Sequence, residues 1–201
     1  MLDRYSLKIL KPLLESLAGY LGKRGIRADQ ITIASFAIGL FGAVLIARHL
    51  YLLGGLLIIL NRLGDGVDGA LARLTGSTDR GAFLDICLDF IFYSAVVLGF
   101  ALAEPAHNSL AAAFLIFSFV GTGSSFLAYA ILAERRSLTD LRLPDKGFYY
   151  LGGLAEGTET IIFFIIICLF PSFFPALAWI FGSFCLLGSA ARIVYGYRTL
   201  D

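Results

Sequence analysis

Asp65-Gly66-Val67-Asp68-Gly69-Ala70-Leu71-Ala72-Arg73, followed seven residues later by Gly81-Ala82-Phe83-Leu84-Asp85-Ile86-Cys87-Leu88-Asp89, is the stretch that organises the chain. It carries four carboxylates at helical spacing, with apolar sequence on both sides. Residues three or four apart share a helix face, so Asp65 pairs with Asp68, and Asp85 with Asp89. Gly76 through Arg80 reads as a turn that brings the second helix back antiparallel to the first, letting all four carboxylates meet. Like charges that close repel strongly unless a positive charge lies between them. Four Asp in apolar surroundings therefore imply divalent metal, and all-oxygen ligands favour Mg, Mn or Ca over Zn. The competing reading is an ion-paired structural cluster held by Arg62, Arg73 and Arg80. Ionisable groups at membrane depth are costly, which favours function.

The rest of the sequence supplies the membrane. Hydrophobic residues make up 58% of the 201, 15% are charged and mean hydropathy is +0.83, outside the range of an ordinary soluble domain. A net charge of +1 offers no concentrated basic surface, so a nucleic-acid partner is not expected. Cys87, Cys168 and Cys185 sit in apolar runs without metal-ligand spacing and read as core or lipid-facing residues. The N-terminal residues lack the pattern of a cleaved signal peptide.

Residues 2–22 carry Leu2, Ile9, Leu10, Leu13, Leu14, Leu17 and Leu21 on one side, edged by Arg4, Lys8, Lys11 and Lys23. This predicts an amphipathic helix lying on the bilayer surface, started or kinked at Pro12, with a partner-helix face as the alternative. Asp29 is placed to cap the next helix. A crossing takes roughly 20 mainly apolar residues. Spans are expected near 30–48, 51–74, 81–104, 109–134, 149–170 and 175–197. The fold class is thus an all-α membrane protein, a single domain of six transmembrane helices preceded by an interfacial helix. The basic residues at 4, 8, 11, 23, 24, 27, 73, 80, 135, 136, 142, 146, 192 and 198 then fall on one side, and only Arg48 on the other. The positive-inside rule makes the crowded side, with both termini and the acidic turn, cytoplasmic. At 1.5 Å rise per residue, Asp65 lies roughly 12 Å inward of Arg73.

Two metals bridged by carboxylates suit transfer at phosphorus, where they neutralise phosphate oxygens and orient attacking and leaving groups. Gly66, Gly69, Ala70 and Ala72 remove bulk beside the acids, Arg73 suits diphosphate oxygens, and one Asp can take the proton of an attacking hydroxyl. Gly121-Thr122-Gly123-Ser124-Ser125 reads as a helix-packing patch. Glu156 and Glu159 either support basic residues or touch substrate.

The pattern D-x-x-D-G-x-x-A-R followed by G-x-x-x-D-x-x-x-D resembles the signature of the CDP-alcohol phosphatidyltransferase family, matched by Asp65, Asp68, Gly69, Ala72, Arg73, Gly81, Asp85 and Asp89 without departure. The resemblance implies that Asp65, Asp68, Asp85 and Asp89 ligate a pair of Mg or Mn ions. Asp89 would also be the base that deprotonates the acceptor. It further implies that Asp65, Gly69, Ala72, Arg73 and Gly81 form the nucleotide site. A phosphatidyl group would pass from CDP-diacylglycerol, or a related CDP-alcohol, to a soluble hydroxyl acceptor with release of CMP. Family members are often homodimers, and a cell inner membrane location is expected. Arg135, Arg136, Arg142, Lys146 and Arg192 are the acceptor-binding candidates, favouring a phosphorylated polyol. Topological charge bias alone also places basic residues there. Two other readings compete: an intramembrane prenyltransferase, which usually pairs acidic motifs on well-separated helices, and a divalent-cation transporter, which needs acids along the whole pathway.

Overall fold

The computed structural model describes residues 3–136 and 157–200. Among them the fold is all-α: α1 (Asp3–Lys23), α2 (Ala28–Ala47), α3 (Tyr51–Thr75), α4 (Asp79–Ala103), α5 (Pro105–Arg135), α6 (Gly157–Leu169) and α7 (Phe174–Thr199), with a 3₁₀ turn at Pro171–Phe173. The expected boundaries match these helices within a few residues, except for the fifth span. Its residues 149–156 lie outside the described residues, as do Arg142, Lys146 and Glu156.

Four helices, α2, α4, α5 and α7, are long and apolar enough to cross a membrane. α3 has the length, 25 residues, but carries Arg62, Asp65, Asp68 and Arg73 within it. α6, 13 residues whose apolar run is 161–169, is short for a bilayer core of about 30 Å. This is an integral membrane protein, with four clear spans and a shorter apolar helix among the described residues. Its exterior agrees: Leu52, Leu110, Phe117, Val120 and Ile131 all point outward, a surface that suits lipid.

α2 is the organising helix. It packs against both α3 and α4, which barely touch each other. The two acidic helices are therefore antiparallel, as expected, but do not form a tight pair; α2 holds them apart and supplies a third wall. Close approach to α2 depends on small residues. A Cβ on Gly99 would sit 2.6 Å from the Ala43 carbonyl oxygen, and one on Gly39 would sit 2.7 Å from the Phe92 ring. Beyond α2, α5 packs on α4 and pairs with α7, while α6 covers α3. The core between them is aromatic, with Phe100 stacked on Phe174 at 4.7 Å and Phe163 on Phe181 at 4.4 Å.

One local expectation needs correction. α2 begins at Ala28, so Asp29 lies within its first turn and is not the cap; the Gln30 side chain instead reaches back to the Arg27 amide at 2.9 Å. Of the two places expected for Pro12, at the start of α1 or within it, the structure has it inside the helix. The apolar stripe of α1 is divided. Leu14 and Ala18 are buried against Val67, Ala70 and Leu71 of α3, with Leu21 beside them, while Leu13 and Leu17 stay exposed. One stripe thus serves as a partner-helix face and leaves a second apolar row open.

Candidate active site

Asp65 and Asp68 come from α3, and Asp85 and Asp89 from α4. All four line one pocket, whose third wall is Thr32, Ser35 and Phe36 of α2. Asp65, Asp68 and Asp85 converge: one oxygen of each lies within 4.8 Å of the others. Asp89, one turn further along α4, lies outside that trio and accepts a hydrogen bond from the Tyr93 hydroxyl at 3.4 Å.

The ion-paired alternative is only partly realised. Arg62, one turn before Asp65, pairs with it. Arg80 pairs with Asp29, outside the four, and Arg73 stands exposed. Asp68 is 5% exposed, and its Oδ2 and Asp85 Oδ1 are buried with no hydrogen-bond partner. Buried polar atoms are normally satisfied, so two orphaned carboxylate oxygens facing one pocket are atoms that could hold a cation. Three carboxylates against one guanidinium leave net negative charge in apolar surroundings. The donor set is all oxygen, as Mg and Mn prefer.

The small residues divide by destination. Gly69 has open space beside it, where a Cβ would meet only the Arg73 guanidinium, at 3.4 Å. Gly81 opens α4 with its amide on the Thr78 hydroxyl, and a Cβ there would crowd Asp29 and Thr78 at 3.2 Å. Gly66 and Ala70 do not face the pocket. A Cβ on Gly66 would meet Leu14 of α1 at 3.0 Å, and Ala70 is buried in the same contact. These two are small for helix packing, not for substrate, because a helix turns them away from Asp65 and Asp68.

The acceptor candidates spread out. Arg135 and Arg136 are exposed at the end of α5. Arg192, 3% exposed, lies between α7 and α5, where it donates to the Thr122 carbonyl and to Ser125 Oγ, each at 3.0 Å. The small-residue patch at 121–125 is indeed a packing surface, with Thr122 hydrogen-bonded to Ser189 at 3.1 Å. Glu159 sits in the first turn of α6.

Sequence reading missed Thr32, Ser35, Asn61 and Tyr93. The buried Asn61 amide donates to the Ser35 carbonyl at 2.9 Å, tying α3 to α2 on the pocket floor. The available signal was spacing: Asn61 falls one turn before Asp65, Tyr93 one turn after Asp89, and Thr32 and Ser35 three apart in an otherwise apolar helix.

A family pattern described as CDP-alcohol phosphatidyltransferase matches residues 26–189, most of the chain, and spans the whole pocket. The chain belongs to the CDP-alcohol phosphatidyltransferase family. It is therefore a transferase of phospholipid synthesis. Among relatives, it is 50% identical over 200 residues to Inner membrane protein YnjF of Escherichia coli (strain K12), covering 100% of this chain and 97% of that one. It is 30% identical over 166 residues to Archaetidylinositol phosphate synthase of Pyrococcus horikoshii, covering 82% and 81%. Phosphatidylinositol phosphate synthase of Streptomyces avermitilis is 36% identical over 121 residues, covering 58% of this chain and half of that one. The fold matches the crystal structure of Mycobacterium tuberculosis phosphatidylinositol phosphate synthase with CDP-DAG bound, with a TM-score of 0.68 and 21% identity over 92% of this chain and 94% of that one.

Proposed function

We propose that this phosphatidyltransferase uses CDP-diacylglycerol as donor and a phosphorylated polyol as acceptor, releasing CMP. The observation that carries the reading is the convergence of Asp65, Asp68 and Asp85 around two orphaned carboxylate oxygens inside an apolar bundle. In this reading those three, with Asp89, hold two Mg or Mn ions. When bound, such ions neutralise the diphosphate and stabilise the charge that develops at the transferred phosphorus.

The chain's own groups do the rest. Arg73, exposed and close to Gly69, is placed to grip the diphosphate as a bidentate donor. Gly69, Ala72 and Gly81 leave room along two helix ends for the cytidine, beside Asp65. Asp89, set apart from the trio, takes the proton from the acceptor hydroxyl as that oxygen attacks the phosphorus bearing the lipid. The bond from that phosphorus to CMP breaks, and CMP carries away the electron pair.

The acceptor reading rests on Arg135, Arg136 and Arg192, with Arg142 and Lys146 outside the described residues. Two relatives named as inositol phosphate lipid synthases support a phosphorylated polyol. The whole chain serves as one domain, a homodimer in an inner membrane, with six crossings that put the acidic end and both termini in the cytoplasm; α3 and α6 supply the two crossings beyond the four clear ones. A relative carrying the words inner membrane protein over the full length supports the location.

The test is a CMP-release screen with purified protein, CDP-diacylglycerol, Mg or Mn, and inositol phosphate, glycerol phosphate, serine, inositol, choline and ethanolamine. The reading expects CMP with a phosphorylated polyol and none in chelator. Arg192→Ala should raise KM for that acceptor more than for the donor lipid. Release with serine or choline alone would overturn the acceptor assignment.

A further inference from the structure

We propose that Tyr93 is a positioning residue for the reaction: its phenol holds the Asp89 carboxylate apart from the three converging acids and aims it at the acceptor. The inference rests on the reading of Asp89 as the proton acceptor. Tyr93 lies one helical turn past Asp89 on α4, and its hydroxyl donates to Asp89 Oδ2 at 3.4 Å. Catalytic hydrogen bonds are commonly long before substrate binds. The ring cannot swing freely, because Phe92, Phe164 and Phe119 surround it at 5.7, 5.9 and 6.4 Å between ring centres. The hydroxyl is covered too: a Cβ on Gly157, the first residue of α6, would lie 3.6 Å from the phenol oxygen. Burial of an unsatisfied hydroxyl is costly, so the phenol is committed to Asp89.

Among the described residues, Asp65, Asp85 and Arg62 are the charged groups that act on Asp89. Asp89 lies one helical turn past Asp85, and Tyr93 gives its carboxylate a fixed seat there. With one Oδ2 lone pair taken by the phenol donor, Oδ1 keeps a lone pair for the incoming hydroxyl beside any that Asp89 would lend to metal. Proton transfer to Oδ1 then accompanies formation of the new oxygen–phosphorus bond.

Tyr93→Phe removes only the hydroxyl and leaves the aromatic packing, so folding is retained. CMP release is measured with CDP-diacylglycerol, Mn and the best acceptor from the screen, for wild type, Tyr93→Phe, Asp89→Glu and the double variant. Tyr93→Phe is expected to lower kcat about tenfold while KM for CDP-diacylglycerol and the half-saturating Mn concentration stay unchanged. In the Asp89→Glu background, where the carboxylate has already moved, the same change should cost under about twofold. Wild-type kcat in Tyr93→Phe, or an equal loss in both backgrounds, overturns the inference. Full activity in Asp89→Asn would instead overturn the reading of Asp89 itself.

Discussion

Asp68 shows how one buried carboxylate can serve function at the expense of stability. Its Oδ2 is buried without a partner, and one of its oxygens lies within 4.8 Å of both Asp65 and Asp85. Left bare, this arrangement costs desolvation and repulsion; under the proposed function a bound metal would take the same atoms as ligands. Mn titration is therefore expected to raise the Tm of wild type, by an amount equivalent to about 2.7 kcal/mol at a hundredfold excess over Kd. In Asp68→Asn that rise should vanish, activity should fall at least a hundredfold, and the metal-free Tm should not drop. Thermal melts with and without chelator check the two Tm outcomes, and CMP release checks the activity. Acidity acts on the same atoms. Ligand carboxylates must be ionised, protons compete with metal, and activity should fall as pH falls. Raising the Mn concentration should move that acid limb to lower pH, which a pH–rate series at two Mn levels would show. Arg80 offers a contrast. Its pair with Asp29 is on an exposed side chain, where ion pairs contribute little, and Arg80→Ala should leave the Tm nearly unchanged.

Helices α2, α3 and α4 form the site because glycine lets them approach, and this is where the structure goes furthest beyond the sequence. Gly39 and Gly99 read as ordinary residues of apolar spans, yet each faces a neighbour within 2.7 Å of where a Cβ would be. Gly99→Ala should push α4 off α2 and destabilise the protein by about 1–3 kcal/mol, as overpacking does; thermal unfolding in detergent measures it. Activity should fall with it, because Asp85 rides on α4. The four acids were legible because helical spacing and the cost of membrane-depth charge are local properties of sequence. The third wall was not. Thr32 and Ser35 acquire meaning only once α2 is known to separate α3 from α4, a long-range fact that no period encodes. The same holds for Gly66, whose neighbour Leu14 lies fifty-two positions earlier in the chain. Asp29 lies inside the first turn of α2 and pairs with Arg80, fifty-one positions along the chain, a contact no local pattern encodes.

In the whole molecule, an acidic pocket sits toward one end of a bundle whose outer surface is apolar. Under the proposed function, a lipid donor would enter sideways and the acceptor from the aqueous end. That geometry argues against a transporter, which would need acidic groups along the full crossing; among the described residues Glu104 is the one acid at the opposite ends of these helices. It also fixes where bonds must break if the donor is CDP-diacylglycerol, since an acceptor beside Asp89 attacks the phosphorus nearest the lipid. The most direct measurement is therefore the fate of a labelled phosphorus. Protein in liposomes is given CDP-diacylglycerol labelled at the lipid-bearing phosphate, Mn and a phosphorylated polyol, and the products are separated by phase. The label should move into a new phospholipid carrying the polyol, with unlabelled CMP in water, and chelator or Asp68→Asn should stop it. Label recovered in phosphatidic acid, or Mn flux into the liposomes with no CMP formed, would contradict phosphatidyl transfer at the four-Asp pocket.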